Sequence, residues 1–172
     1  RPRSVALAGR GEPARNPEVF PNAPLPEKVM AATVQLDGVD TTVVTYHAPT
    51  GGRHKLKKPD QAVQLARWLA SVQGPVVLGG DFNTPKVDPP DQDGIRTHWH
   101  SGDDKLNGLP GDDLLVGPEP VHGLGDVLRL YLANRPEDLD LIRADRPNGP
   151  LMTSYCTDGA GERRYRYDAI WV

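Results

Sequence analysis

The stretch Pro75-Val76-Val77-Leu78-Gly79-Gly80-Asp81-Phe82-Asn83-Thr84-Pro85 decides how this chain is read. Val76 to Leu78 is short, apolar and β-branched and is bounded by Pro75 and two glycines, the pattern of a core strand ending in a tight turn. Asp81 and Asn83 follow at its C-terminal end. Two residues apart in an extended segment, they project to one side while Phe82 points back into apolar packing. A carboxylate and an amide on one rim suit phosphoester chemistry: the first can hold a metal or orient a water, and the second can donate to a phosphate oxygen. The competing reading is an Asp-x-Asn turn whose side chains bond their own backbone.

Working outward, Val43-Val44-Thr45-Tyr46-His47-Ala48-Pro49-Thr50-Gly51-Gly52 is a second strand ending in a histidine and a Pro/Gly turn. Tyr165-Arg166-Tyr167-Asp168-Ala169-Ile170-Trp171-Val172 is a third, carrying an aspartate. Val29 to Leu36 and Thr41 to His47 alternate apolar with polar residues across Asp37-Gly38, a hairpin signal. From about Pro59 to Gln73 the pattern is helical, with Val63, Ala66, Leu69 and Ala70 on one face flanked by Leu65 and Trp68, Asp60 in the first turn and Gly74 beyond the end. Such a helix connects the His47 strand to the Asp81 strand, and a right-handed crossover would make them parallel neighbours with both strand ends on one rim. A short strand over Ser4 to Ala8, a helix over Gly125 to Ala133 and a shorter one from Pro136 complete the expected elements; the remainder of Pro2 to Pro26 reads as irregular.

The three strand ends, in this order, resemble the endonuclease/exonuclease/phosphatase superfamily, whose members include pancreatic-type deoxyribonucleases, apurinic endonucleases, sphingomyelinases and inositol-polyphosphate phosphatases. The family's Gly-Asp-Phe-Asn signature stands as Gly80 to Asn83, its His-ending strand and Pro-containing turn as Val43 to Gly52, and its Tyr-Asp-x-Ile strand as Tyr167 to Ile170. The resemblance runs from about Lys28 to the end. It implies an α/β two-sheet, four-layer α-β-β-α sandwich of the deoxyribonuclease-I-like kind, and a metal-dependent hydrolase using Mg²⁺ or another hard divalent ion such as Mn²⁺ or Ca²⁺.

Carried over residue by residue, the resemblance gives Asp81 the role of orienting or deprotonating the attacking water and of binding the metal. Asn83 would fix the phosphate or that water, and His47 would contact the scissile phosphate and protonate the leaving oxygen. Asp168 would orient a terminal catalytic histidine. Thr50 sits where some relatives place a phosphate-contacting group, and Arg164 and Arg166 would attract phosphate. A salt-bridged edge in which Asp168 pairs with those arginines is the alternative.

Two family segments have no counterpart: the Gln-Glu strand end that supplies the main metal carboxylate, and the closing Ser-Asp-His segment. Glu12, Glu18 and Glu27 lie in a Pro- and Arg-rich stretch without a strand to present them. The chain is therefore expected to be a single domain over residues 1–172 that is incomplete at both ends, and almost inactive by itself. The expected substrate is nucleic acid, making the complete protein a nuclease. A small-molecule or lipid-headgroup phosphoesterase is the alternative within this chemistry, and a non-catalytic binding module on the same scaffold is the alternative outside it.

Composition sets outer limits. The 172 residues are one domain's worth of chain, short for a two-sheet fold that needs roughly 200 to 250. A net charge of −3 gives no global basic footprint for nucleic acid, although a local basic rim would suffice. The single cysteine, Cys156, excludes an internal disulfide and favours a cytoplasmic location; a signal peptide ahead of Arg1 would redirect the protein to secretion. No apolar run reaches the length of a membrane span. Oligomeric state is left open.

Residues 86–123 read as an irregular insert rich in Asp, Gly and Pro. His98-Trp99-His100 within it has a spacing that can bind zinc or contact phosphate, but a solvated loop anchored by Trp99 is the preferred reading. Asp88, Asp91, Asp93 and Gly94 are spaced somewhat like a calcium loop yet lack the first Asp and closing Glu of an EF-hand, which leaves only an irregular calcium site.

Overall fold

The computed structural model describes residues 5–6, 13–20, 23–54, 56–97, 111–152, 155–157 and 163–172. Strand β1 (Arg15–Val19) is followed by the hairpin of β2 (Val29–Leu36) and β3 (Val39–His47), a short helix α1 (Gly51–His54) and the long α2 (Lys57–Ser71). Next come β4 (Val76–Val87), β5 (Arg96–Thr97), α3 (Gly111–Val116), α4 (Val127–Ala133), α5 (Pro136–Asp145), β6 (Tyr155–Thr157) and β7 (Arg163–Trp171).

The strands join in the order β1-β2-β3-β4-β7-β6, with β5 paired to the far end of β4. Only β3 and β4 run parallel, since α2 carries the chain back between them; the other pairs are antiparallel. The hairpin turns at Asp37-Gly38, both with positive φ, as a tight two-residue connection requires. This is a mixed α/β architecture. The described residues build one sheet, so the second sheet of the expected sandwich is not among them.

Period-2 alternation sorts the sheet into two faces. Val29, Ala31, Val44, Tyr46 and Leu78 pack with Ala62, Leu65, Ala66 and Leu69 of α2 and Leu115 and Val116 of α3. Burying each of the larger aliphatic side chains contributes about 1.5–3 kcal/mol. The buried stripe of α2 is rotated from the expected one: Val63 is half-buried and Ala70 exposed, while Lys58 and Gln61 are buried. Both polar heads have partners inside, which is why that side of the helix tolerates burial: Gln61 Oε1 accepts from Leu25 N at 3.0 Å and Lys58 Nζ donates to Asn83 O at 2.6 Å.

Other expectations are adjusted locally. Val5 and Ala6 are not in a strand, and the rest of Ser4 to Ala8 lies outside the described residues. β1, read as irregular, pairs with β2 as an edge strand with a bulge between Arg15 and Glu18; Asn16 takes φ +50 there, and Pro17 is tolerable because an edge strand leaves one side unpaired. The helix from Pro136 is longer than α4, at 10 residues against 7. His98, Trp99, His100 and Asp103-Asp104 lie outside the described residues.

Candidate active site

β4 does not stop at Gly79-Gly80 but runs on through Asp81 and Asn83. Gly80 makes this possible: a Cβ there would lie 1.8 Å from the carbonyl oxygen of Tyr46, so only glycine lets β4 approach β3 this closely. The approach aligns His47 with Asp81 across β3 and β4, and Asp81 with Asp168 across β4 and β7. Register partners share a face, so all three stand in one row on the face turned away from α2.

Within that row Nε2 of His47 lies 4.0 Å from Oδ2 of Asp81, both side chains being partly exposed. On its other side Nδ1 of His47 is 3.4 Å from Nζ of the buried Lys28. An ammonium has donors only, so Nδ1 must accept, and the proton of the neutral ring sits on Nε2, facing the carboxylate. Lys28 was not apparent from the sequence, where it ends a short turn before β2 and no periodicity marks it.

Asp81 is held from several directions. Its Oδ1 accepts from Asn83 N at 2.8 Å and its carbonyl from Ala48 N at 2.8 Å. Burial raises its pKa; the Asn83 N–H opposes this, the neighbouring charge of Asp168 reinforces it, and His47 and Lys58 oppose it. A carboxylate so placed is a better proton acceptor than a free one.

Asn83 departs from the extended geometry expected of it. Its φ is +46, the β4–β7 register breaks between Asp81 and Lys86, and its side-chain Nδ2 donates to Ala48 O at 2.8 Å. The backbone-bonding turn weighed against the phosphate role therefore describes how Asp81 and Asn83 are joined. The Asn83 amide is engaged by the loop after β3.

The remaining candidates separate. Thr50 is exposed, and its carbonyl accepts from Arg53 N and His54 N at the start of α1. Arg166 is buried, its guanidinium bound to Asp88 at 2.8 Å and also to Asp126, so the phosphate-attracting role expected of it conflicts with its ion pairs. Asp88 has no exposure and is also paired with Arg129; its carboxylate serves two arginines where the sequence allowed a calcium site. The side chain of Arg164 lies outside the described residues.

Asp81 and Asp168 open into a groove of about 580 Å³ whose other walls include Val127, Leu128 and Tyr131 of α4 and Ile170 of β7. Among the described residues no three His, Cys, Asp or Glu side chains cluster closely enough to hold a metal ion. A hard divalent ion takes about six oxygen ligands, so Asp81 and Asp168 do not by themselves make a metal centre.

Two further buried groups stand behind the row. Lys58 pairs with Asp112 at 3.5 Å, and the buried Tyr46 hydroxyl has no hydrogen-bond partner among the described residues. Lys58 had a signal: it precedes Ala62 by four residues and Leu65 by seven, which places a lysine on the apolar stripe of α2.

No family model matches the chain, and no curated protein matches it. Among solved structures it is similar to truncated TDP2 from Caenorhabditis elegans, with 14% identity over 92% of this chain and 51% of that one and a TM-score of 0.43. It is also similar to a β-hairpin deletion mutant of beta toxin from Staphylococcus aureus, with 15% identity over 84% of this chain and 43% of that one and a TM-score of 0.38. The chain thus spans about half the length of these structures or less, and likeness at this level assigns no activity.

Proposed function

We propose that this chain carries part of the active site of a phosphoester hydrolase. The observation that supports this reading is the lateral row of His47, Asp81 and Asp168 on three neighbouring strands. Water would attack phosphorus, its proton passing to Asp81, as the P–O bond to the leaving group breaks and the departing oxygen takes a proton from solvent, while His47 donates a hydrogen bond from Nε2 to a phosphate oxygen. Protonation of the leaving oxygen by His47 would need the imidazolium form. Asp168 keeps its assigned role of orienting the family's terminal catalytic histidine, which has no counterpart in this sequence. Mg²⁺, Mn²⁺ or Ca²⁺ belongs to the same reading with Asp81 as a ligand, and other oxygen donors would have to complete its shell. The two-sheet sandwich is likewise part of the proposal.

A nuclease is the first substrate reading, from the His47 strand and its Ala-Pro turn. A small or lipid-headgroup phosphoester is favoured by a specific observation: Arg166 is committed to carboxylates, and the groove beside Asp81 has largely apolar walls. The test is hydrolysis by the full-length protein, on DNA, RNA, phosphomonoesters and headgroup diesters, with and without Mg²⁺ at two salt concentrations. Asp81→Ala serves as the blank. Turnover of nucleic acid that falls steeply with salt supports the nuclease; turnover of small esters alone supports the second reading; no turnover of any substrate leaves a binding module.

A further inference from the structure

Lys58 is fully buried, and its charge is opposed by Asp112, itself almost fully buried. Placing such a pair in the interior is costly unless its hydrogen-bonding groups are also used. Lys58 uses one donor on the carbonyl of Asn83, at 2.6 Å. That carbonyl lies where the β4–β7 register is interrupted. Asn83 is there in the left-handed region at φ +46, which a residue with a Cβ holds only when its surroundings fix it, Asn more readily than most. Its other two bonds run to the site: N to Oδ1 of Asp81 and Nδ2 to the carbonyl of Ala48, each at 2.8 Å. Ala48 N in turn donates to Asp81 O.

We infer that Lys58, anchored by Asp112, is a positioning residue for Asp81. It holds Asn83 in the left-handed turn that aims the Asn83 N–H at Oδ1 and leaves Oδ2 facing His47. The carboxylate is thereby divided between a structural oxygen and a working one. Burial pushes Lys58 down and Asp112 up, each partner's charge opposing the shift, as expected for a pair kept inside for its geometry. The working role of Oδ2 rests on the proposed hydrolase; the positioning itself does not.

Removing one partner leaves a buried charge and risks unfolding, so the test uses the protein with Lys58→Met and Asp112→Leu together, read by NMR. Expected are a folded protein, an Asn83 amide whose protection from hydrogen exchange falls at least about tenfold, and Asn83 carbon shifts that leave the left-handed range. Adding Asn83→Gly, which takes that conformation without strain, should return protection to the residue-83 amide. Unchanged Asn83 shifts and protection in the folded double variant would overturn the inference. Should the double variant not fold, the parent decides: a scalar coupling across the hydrogen bond from Lys58 Nζ to the Asn83 carbonyl carbon is expected, and its absence overturns it. No readout depends on hydrolysis, so the positioning role and the functional reading fail separately.

Discussion

His47 and Asp81 are register partners on parallel neighbouring strands, and the imidazole Nε2 of one lies 4.0 Å from the carboxylate Oδ2 of the other. Parallel strands rarely put two polar groups side by side unless their ends lie on a rim, because both faces of such strands are usually covered. Here the contact marks where the sheet stops being core and starts presenting chemistry.

The tautomer follows from Lys28. With its ammonium at Nδ1, the neutral ring should show an acceptor-type Nδ1 and a protonated Nε2 in long-range proton–nitrogen spectra at neutral pH. Lys28→Met should weaken that preference and mix the tautomers. A protonated Nδ1 in the parent protein would contradict the arrangement.

Asp81→Asn keeps an oxygen to accept from Asn83 N but removes the charge. Because folding raises the pKa of Asp81 through burial and Asp168, the ionised carboxylate costs stability above its folded pKa. The variant should therefore be at least as stable as the parent at pH 7, and the difference should vanish as the pH falls below the ordinary value of 3.8. On the proposed function, hydrolysis by the full-length protein should drop by about a hundredfold or more. Denaturation at several pH values and initial rates check the two halves.

Arg166→Met should cost about 3–5 kcal/mol, since it takes the guanidinium from two buried carboxylates, leaving Asp88 with Arg129 and Asp126 with the N–H groups of Leu128 and Arg129. Urea denaturation measures this directly. A loss well below 1 kcal/mol would show that the guanidinium is not holding β7 to α4.

His122 is buried, its Nε2 2.8 Å from Leu115 O and its Nδ1 accepting from Leu124 N at 3.1 Å. That is a neutral ring with both nitrogens used. Burial lowers its pKa, with the bond to Leu115 O opposing. As pH falls through the ordinary 6.5 the unfolded chain takes up the proton first, so stability should decline from there down to the folded pKa and then level off. His122→Gln should flatten this decline in denaturation midpoints between about pH 7 and 5.

Local pattern carried a good part of this fold. The alternation of Val29 to Leu36 and Thr41 to His47 around Asp37-Gly38 determined a hairpin, because period-2 burial and turn chemistry are both local. The long helix was legible for the same reason, although its buried stripe was rotated by partners of Lys58 and Gln61 that no local pattern reveals. The Gly80 to Asn83 tetrapeptide marked a special position, although the strand runs on through it to Val87, and His47 and Asp168 could be named beside it.

Tertiary structure decided what those residues touch. The row of His47, Asp81 and Asp168 exists because Gly80 admits the backbone of β3 and because β7 pairs back on β4, both long-range facts. Arg166 shares the face of Asp168 in sequence, yet Asp88 and Asp126, 78 and 40 residues earlier, draw its charge away. Lys28 and Lys58 reach the site from a turn and a helix whose polar heads are hidden until the sheet assembles. A side chain's type and period are written locally, whereas the partner that fixes its charge, tautomer or direction is supplied by chain folded back from a distance.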